Sequence, residues 1–539
     1  MSREGIVADP ATPVPDQGQV DAGAAPGPSG PDGSPNGATT DATSAVAPAV
    51  PVRGATDEVD ATTARRGVRV LALLVGSVAA LVAARPIADN SFLTHLATGR
   101  LLVESGLPAE NPFLYSSTSF PVPSYWWSIV LGVVDGVAGA TGLRLLVALL
   151  GGVLGALLVR LSWGGLRPSA GRDGGDAAAQ SDLLAVVVPA ALTVMCVFQF
   201  LSGRPHLLGF VLLAAALVVW QERRSPWWLV PVFAVWVNSH GSWLYGLVVL
   251  GLFVVADAVD ERAIDRRRVA MLLTAALGTL VGGALYPDRF AIVLLPTRQF
   301  GDPVEREALQ AYSEWSRVGL GEPMLWMMIG LALLALYGCV RRRRIAMTVV
   351  VVVLVAMGMS GLRLVPIAAI ALVPFAATGL VGIGTTRLPT GRAARVLSGV
   401  GAVLAVATVL YVLLTPNYRL DRFPVAATDW LEERELIGRG QRVLTHDFAG
   451  NYLEWRYGDR ANAFVDDRPA APDLLAYASM HRFDDDWRQA LGRADPDVII
   501  WHRNGDMAEE LEDDPDWVVG TREDQFVVLC STELADRCT

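Results

Sequence analysis

Val68-Arg69-Val70-Leu71-Ala72-Leu73-Leu74-Val75-Gly76-Ser77-Val78-Ala79-Ala80-Leu81-Val82-Ala83-Ala84 is a run of seventeen residues whose only charge is Arg69, near its start. A helix needs roughly 20 mostly apolar residues to cross the hydrocarbon core of a bilayer, and tilt or local thinning accommodates shorter ones. Ten further runs follow at 143–161, 183–201, 205–220, 227–239, 241–258, 269–286, 323–340, 345–359, 364–383 and 396–414. A twelfth apolar stretch, 125–140, contains Trp126, Trp127 and Asp135 and has poor ends. Hydrophobic residues make up 52% of the 539, and the mean hydropathy is +0.39. The expected fold is an α-helical polytopic membrane protein with about eleven transmembrane helices and a small C-terminal α/β soluble domain.

Arginine placement decides the status of 125–140. The sequence has no lysine, which together with abundant Ala, Gly and Val points to a high-GC coding bias. Fifteen arginines fall in the loops 162–182, 221–226, 259–268, 341–344 and 384–395. Only eight fall in the alternate segments 85–142, 202–204, 240, 287–322 and 360–363, although these are together roughly twice as long. The first set is therefore expected inside, and Arg65, Arg66 and Arg69 place the N-terminus inside too. Both assignments hold only if an odd number of spans separates residue 85 from residue 162. Residues 125–140 should then lie in the interface or re-enter, with the Trp pair at headgroup depth. The reading is a multi-pass protein of the cytoplasmic membrane with its C-terminal domain outside. The net charge of −10, with arginines at helix ends rather than on one soluble basic face, points away from nucleic acid.

The flanks differ from the spans. Residues 1–66 are rich in Ala, Pro, Gly, Asp and Thr and carry almost no large apolar side chain, so they read as a disordered cytoplasmic tail, too polar for a signal peptide. Residues 67–415 form the multi-span domain, in which 85–142 is a long outer loop with interfacial helices and 287–322 a second long outer segment. Residues 416–539 alternate short strand and helix signals. Strands are expected near Val443 and Leu444, Ala463–Val465, Val498–Trp501, Trp517–Val519 and Phe526–Leu529, with helices at 471–480 and 484–492. Cys196 and Cys339 fall in apolar runs and read as packing residues. Cys530 and Cys538 are either a disulfide, if their domain lies outside the cytoplasm, or two thiols in a flexible tail.

The order of features resembles the GT-C superfamily of membrane glycosyltransferases. Asp89 opens a long loop after the first span, 125–140 follows as an interfacial helix, and Arg144 starts the next span. More narrowly, the chain is similar to a bacterial group with the pattern D-P-D-L-W-W-H-L-x-T-G followed by N-P-F. The corresponding residues are Asp89-Asn90-Ser91-Phe92-Leu93-Thr94-His95-Leu96-Ala97-Thr98-Gly99 and Asn111-Pro112-Phe113. Further similarities are Arg204-Pro205-His206, Asn238-Ser239-His240-Gly241, Tyr286-Pro287, Glu314-Trp315 and Arg363 before Pro366. In the C-terminal part they are Asp447-Phe448-Ala449-Gly450-Asn451-Tyr452 and Phe464-Val465-Asp466-Asp467-Arg468. One departure stands out: the second Asp of the pattern is Ser91 here. The resemblance implies a polyprenyl-phosphate-linked sugar as partner, with membrane lipid around it, and reaction at the outer face.

Under the expected topology, Asp89, His95, Arg204, His206, Asn238, His240, Asp288, Arg289, Glu314 and Arg363 all sit at outer helix ends. Three of the chain's six histidines are among them. Glycosyl transfer to a hydroxyl needs a base for the acceptor proton, and the departing lipid phosphate needs a cation. Asp89 is the expected base and His95 its neighbour, with Arg204, His206, Asn238, His240, Arg289, Glu314 and Arg363 as substrate-binding candidates, Arg289 or Arg363 holding the phosphate. Plainer readings stand beside these. Asp89 reads equally as a solvated helix end, the arginines as snorkelling side chains, His240 as a turn residue and the Trp pair as interface anchors. Asp466 and Asp467 loosely resemble a metal or sugar site and read most simply as an exposed strand end. No metal site and no cofactor is indicated, although a divalent metal is compatible with the class.

The expectation is thus a glycosyltransferase building a cell-envelope glycan or glycolipid. A non-catalytic protein of the same shape, binding lipid-linked glycan or scaffolding envelope assembly, is the alternative that Ser91 favours. A transporter fits less well, because no internal repeat and almost no buried charge is visible in the spans. Single cysteines at Asp513 and Arg343 test the orientation. Asp513→Cys should react with a membrane-impermeant maleimide in intact cells and Arg343→Cys only after permeabilisation; the reverse pattern would invert the topology.

Overall fold

The computed structural model describes residues 53–166, 182–304, 307, 317–383, 386–438, 440–468, 471–523 and 525–539. Its first helix, α1 (Arg53–Ala83), begins before the apolar run. Of the expected tail, 1–52 lies outside the described residues and 53–66 forms the first turns of this helix. Once the apolar part has nucleated, extending a helix into a polar flank costs little.

Among the described residues, eight helices are long and apolar enough to cross a membrane, and three shorter apolar helices accompany them. They fall on the eleven expected runs. After α2 (Asn90–Ser105) and α3 (Tyr125–Gly165) come α4 (Leu183–Val197), α5 (Pro205–Gln221), α6 (Leu229–Val237) and α7 (Trp243–Glu261). Then follow α8 (Arg266–Leu285), α9 (Ala291–Gly301), α10 (Pro323–Arg341), α11 (Ile345–Met359), α12 (Val365–Leu380) and α13 (Gly391–Leu414). Local chemistry sets their starts. Asp182 accepts from the N–H groups of Leu184 and Ala185, Asp265 accepts from that of Arg267, and Pro205 and Pro323 stand in first turns where no N–H is missed. Helix α12 runs through the middle of the bundle, buried along its whole length.

The loops sort onto two faces of the bundle. At one face Arg160 bonds Glu222, Arg223 bonds Asp265, and Asp257 bridges Arg268 and Arg344. A cavity of about 340 Å³ opens there between Trp220, Asp257, Arg268 and Arg344. At the other face Arg85 donates to the carbonyls of Phe198 and Gln199, and Arg144 donates to those of Ala84 and Thr415. Among the described residues, the arginine-rich loops after α5, α7 and α10 thus share one face, and Arg85 and Arg144, from the segments around α2 and α3, lie at the other.

Residues 125–140 are joined to the following span in α3, across a break at Gly139 (φ 59°, ψ −161°) that favours glycine. The start of α3 and Arg144 beyond the break both belong to the arginine-poor face. Trp126 N donates to Asn238 O, Trp127 Nε1 donates to Gly203 O at 2.9 Å, and Arg144 Nε donates to Ala84 O at 3.0 Å. The first part of α3 therefore runs along that face and does not traverse the bundle.

Residues beyond α13 form a layered α/β domain comprising α14 (Val425–Glu433), β1 (Val443–Thr445), α15 (Asp447–Tyr457), α16 (Ala471–Arg482), α17 (Trp487–Ala494), β2 (Val498–His502), α18 (Asp506–Glu512), β3 (Trp517–Glu523), β4 (Phe526–Ser531) and α19 (Ala535–Cys538). The sheet order is β1-β2-β4-β3, with β1 and β2 parallel and the other pairs antiparallel. Alternate residues of the buried strands feed two cores, one on each side: Ile499 and Leu529 on one, Val498 and Val528 on the other. The expected strand 463–465 contributes an isolated bridge at Ala463, which pairs with Val443 on one side and with Leu114 of the long loop on the other. That loop is thereby an extra edge of the sheet. Cys530 and Cys538 are disulfide-bonded, and Cys196 and Cys339 are buried in the bundle.

Helix α2 lies between the bundle and this domain, packing on α3 and α15. Its approach to α3 is set by glycine: a Cβ on Gly99 would overlap the Ser128 carbonyl oxygen, and one on Gly132 would overlap that of Gly99. We expect Gly99→Ala to destabilise the chain by about 1–3 kcal/mol through overpacking. Gly136→Ala, an exposed helix position with nothing within 4 Å of its Cβ, should be neutral or up to ~1 kcal/mol stabilising. Thermal unfolding in detergent measures both; equal effects would contradict the close crossing.

Candidate functional site

Asp89 is the N-cap of α2 (φ −97°, ψ 122°), and its Oδ1 accepts from Phe92 N at 3.4 Å. The same oxygen accepts from Arg204 Nε at 2.5 Å, while Arg204 Nη2 donates to Asn90 Oδ1 at 3.0 Å. Arg204 is held where it is because Pro205 starts α5 and Gly203 packs flat on the Phe92 ring, where a side chain would clash. One charged pair therefore binds the first turn of α2 to the start of α5.

His95 is one turn further along α2. Burial, with Arg468 and Arg204 close by, pushes its pKa down to about 3 against the opposing pull of Asp89. It is a neutral imidazole at physiological pH, a hydrogen-bonding group and not a cation. His240 lies near enough to act on it electrostatically, and the His240 and His206 rings are 6.1 Å apart. Ser242 N donates to His240 Nδ1 at 3.2 Å. Trp236 Nε1 in turn donates to Ser242 Oγ at 3.0 Å. Buried His206 has its Nε2 3.1 Å from the Phe200 carbonyl.

The remaining candidates are placed elsewhere. Asn238 is fully buried and its Nδ2 donates to Ala234 O and Gly282 O, joining α6 to α8. Asp288 and Arg289 are exposed in the turn after α8. Arg363 is half-buried in the turn Leu362–Leu364, and Glu314 lies outside the described residues. The cations acting most strongly on His95 are Arg468 and Arg204, not Arg289 or Arg363. Arg144, at the start of the expected span, is wholly occupied: it is 1% exposed and donates to Ala84, Val412, Thr415 and Pro416 carbonyls, which ties the ends of α1 and α13 together.

The C-terminal domain completes the site. Asp466, expected as an exposed strand end, is 1% exposed. Arg468 donates to Asp466 Oδ2 from Nε at 2.9 Å, to Glu454 Oε2 from Nη2 at 2.6 Å, and to the Thr98 hydroxyl on α2. Its guanidinium is also 5.3 Å from the Phe113 ring centre and 4.9 Å from that of Phe120. Phe113 is brought there by Asn111, whose side-chain oxygen accepts from Phe113 N and Leu114 N. Burial pushes the Glu454 carboxyl well above its ordinary value, toward the neutral form. Burial works against Asp466 too, but Arg468 outweighs it and holds that carboxyl ionised. Asp466 and Arg468 thus form a buried ion pair with Glu454 beside it.

Next to this set, Asp467 faces α2. Asn451 Nδ2 donates to its Oδ1 at 3.1 Å, Ser91 hydrogen-bonds its side chain, and Arg204 lies close enough to act on it. Asp89, Ser91, His95, Arg204, His240 and Asp467 therefore meet where α2 begins. Local sequence gave Asp467 and Arg468 no distinction from any charged strand end; the available signal was the run Phe464-Val465-Asp466-Asp467-Arg468 read together with Asp447–Tyr452.

A second cluster went unseen because its members are far apart in sequence. The His481 and His502 rings each lie 4.9 Å from that of His446 at a cavity of about 260 Å³. Among the described residues, no group of three or more His, Cys, Asp or Glu is arranged to hold a metal ion.

No known family model matches the chain, and no curated protein matches it.

Arg468→Ala would leave the Asp466 carboxylate buried without its cation. We expect a loss of about 3–5 kcal/mol of stability, read as early unfolding or proteolysis of the C-terminal domain; an unchanged melting profile would show that the cluster does not hold the two parts together.

Proposed function

We propose that this chain is a membrane glycosyltransferase that moves a sugar from a polyprenyl-phosphate donor to a cell-envelope glycan or lipid, with the reaction at the outer face of the cytoplasmic membrane. The observation that carries the reading is the meeting of Asp89, Arg204, His95, His240 and Asp467 at one end of the helical bundle. That set combines a cation, two carboxylates and imidazoles, the groups that sugar transfer from a phosphate requires. The arginine-poor face is the outer one in this reading, in keeping with the positive-inside rule. The Cys530–Cys538 disulfide supports the same side for the C-terminal domain, because such bonds persist in oxidising compartments. The first part of α3 then lies in the outer interface with Trp126 and Trp127.

Arg204 is the residue best placed to receive the donor phosphate, sharing its guanidinium between that anion and Asp89. Neutral His95 offers a hydrogen bond to a sugar hydroxyl without adding charge, and His240 is close by. A carboxylate takes the acceptor proton. The second reading is a non-catalytic protein that binds lipid-linked glycan or scaffolds envelope assembly. The pairing of Asp89 with Arg204 favours it, since both groups are already engaged.

The full chain in liposomes, supplied with polyprenyl-phosphate-linked mannose, glucose, galactose and arabinose and with envelope lipid as acceptor, separates the two. The transferase reading expects product from one donor and a loss of about 10²-fold on Arg204→Gln. Binding of polyprenyl phosphate without transfer from any donor would establish the second reading.

A further inference from the structure

We propose that Asp467, carried by the C-terminal domain, is the carboxylate that accepts the proton of the attacking hydroxyl, and that Ser91 and Asn451 position it. The inference rests on the transfer reading given above and assigns one step within it. Two carboxylates face the start of α2, and their surroundings differ. The Oδ1 of Asp89 caps the helix and is ion-paired with Arg204 at 2.5 Å, so that oxygen is already engaged. Asp467 is not ion-paired with any described residue. Its neighbours are neutral donors, the Asn451 amide at 3.1 Å and the Ser91 hydroxyl. It is partly exposed, in contrast to Asp466 beside it.

The site gives Asp467 the properties of a base. Burial raises its proton affinity above that of an ordinary Asp, while Arg204, Ser91 and Asn451 moderate the rise. Its backbone is fixed on both sides: Asp467 N donates to Asn451 Oδ1 at 3.0 Å, and the next residue, Arg468, is locked between Glu454, Asp466 and Thr98. The carboxylate is therefore presented to α2 by a rigid support, as acid–base work requires.

The step balances without a further reactant. The acceptor oxygen forms a bond to the anomeric carbon while the bond from that carbon to the phosphate oxygen breaks. The bonding pair leaves with the polyprenyl phosphate, beside Arg204. The hydroxyl proton passes to Asp467 and from there to water. Ser91, two residues from Asp89, holds the carboxylate from the α2 side, so the step draws on both parts of the chain.

The test measures transfer by the full chain in liposomes from the four polyprenyl-phosphate-linked sugars named above, together with thermal stability and binding of polyprenyl phosphate. Asp467→Asn should lower transfer by about 10²–10⁴-fold while melting temperature and lipid binding stay as in the wild type. Asp467→Glu should recover part of the rate. Ser91→Ala should move the acid limb of the pH–rate profile to higher pH, since it removes a hydrogen bond that favours the ionised form; a merely structural serine would leave that limb in place. Wild-type transfer by Asp467→Asn, with Asp89→Asn inactive, would overturn this assignment and leave the transferase reading standing. Absence of transfer from every donor by the wild type would overturn both.

Discussion

Arg468 is the tie on which the arrangement depends. One guanidinium is shared by Asp466 and Glu454 of the C-terminal domain, by Thr98 of α2 and by the rings of Phe113 and Phe120 in the long loop. A charge that deep is tolerated only with its partners in place, so the loop, the helix and the domain are fixed together. Burial pushes Glu454 toward its neutral form while Arg468 holds Asp466 ionised, which lets three ionisable groups be buried side by side. Arg100 reinforces the junction by bonding Asp135 of α3 and the Trp455 carbonyl of α15.

Through that junction the motif around α2 becomes intelligible position by position. Asp89 caps the helix and holds Arg204, Phe92 fills the space against Gly203, and His95 stands at the centre. Thr98 meets Arg468, and Gly99 permits the close crossing with α3. Ser91, where the sequence pattern leads one to look for a carboxylate, instead receives one from Asp467. The two parts of the chain therefore contribute to a single polar centre, and neither contains it alone.

Much of the helical framework was legible because hydrophobic length and arginine placement are local signals. The eleven apolar helices and the return of 125–140 to its own face follow from them, with Gly139 marking the break. The C-terminal sheet was legible from its short apolar runs, Ala463–Val465 among them, though that run contributes only a bridge, and its edge partner Leu114 gave no signal. The polar centre was legible only in part. Asp89, His95, Arg204 and His240 are helix-end residues that an alternating topology brings to one face, whereas Asn238 and Arg144 sit at the same kind of position and spend their hydrogen bonds on backbone carbonyls. Nothing local separates these roles. The role of Asp466 and Arg468 was hidden for a different reason: it depends on Thr98 and Glu454, which no spacing rule connects to them.

The central claim is that a lipid phosphate is received where α2 begins, between the bundle and the C-terminal domain. Its most direct test is an electron cryomicroscopy map of the full chain in nanodiscs containing polyprenyl phosphate. The account predicts phosphate density beside Arg204, flanked by Asp89 and Asp467. Phosphate density confined to the arginine-rich face, near Arg268 and Arg344, would contradict it.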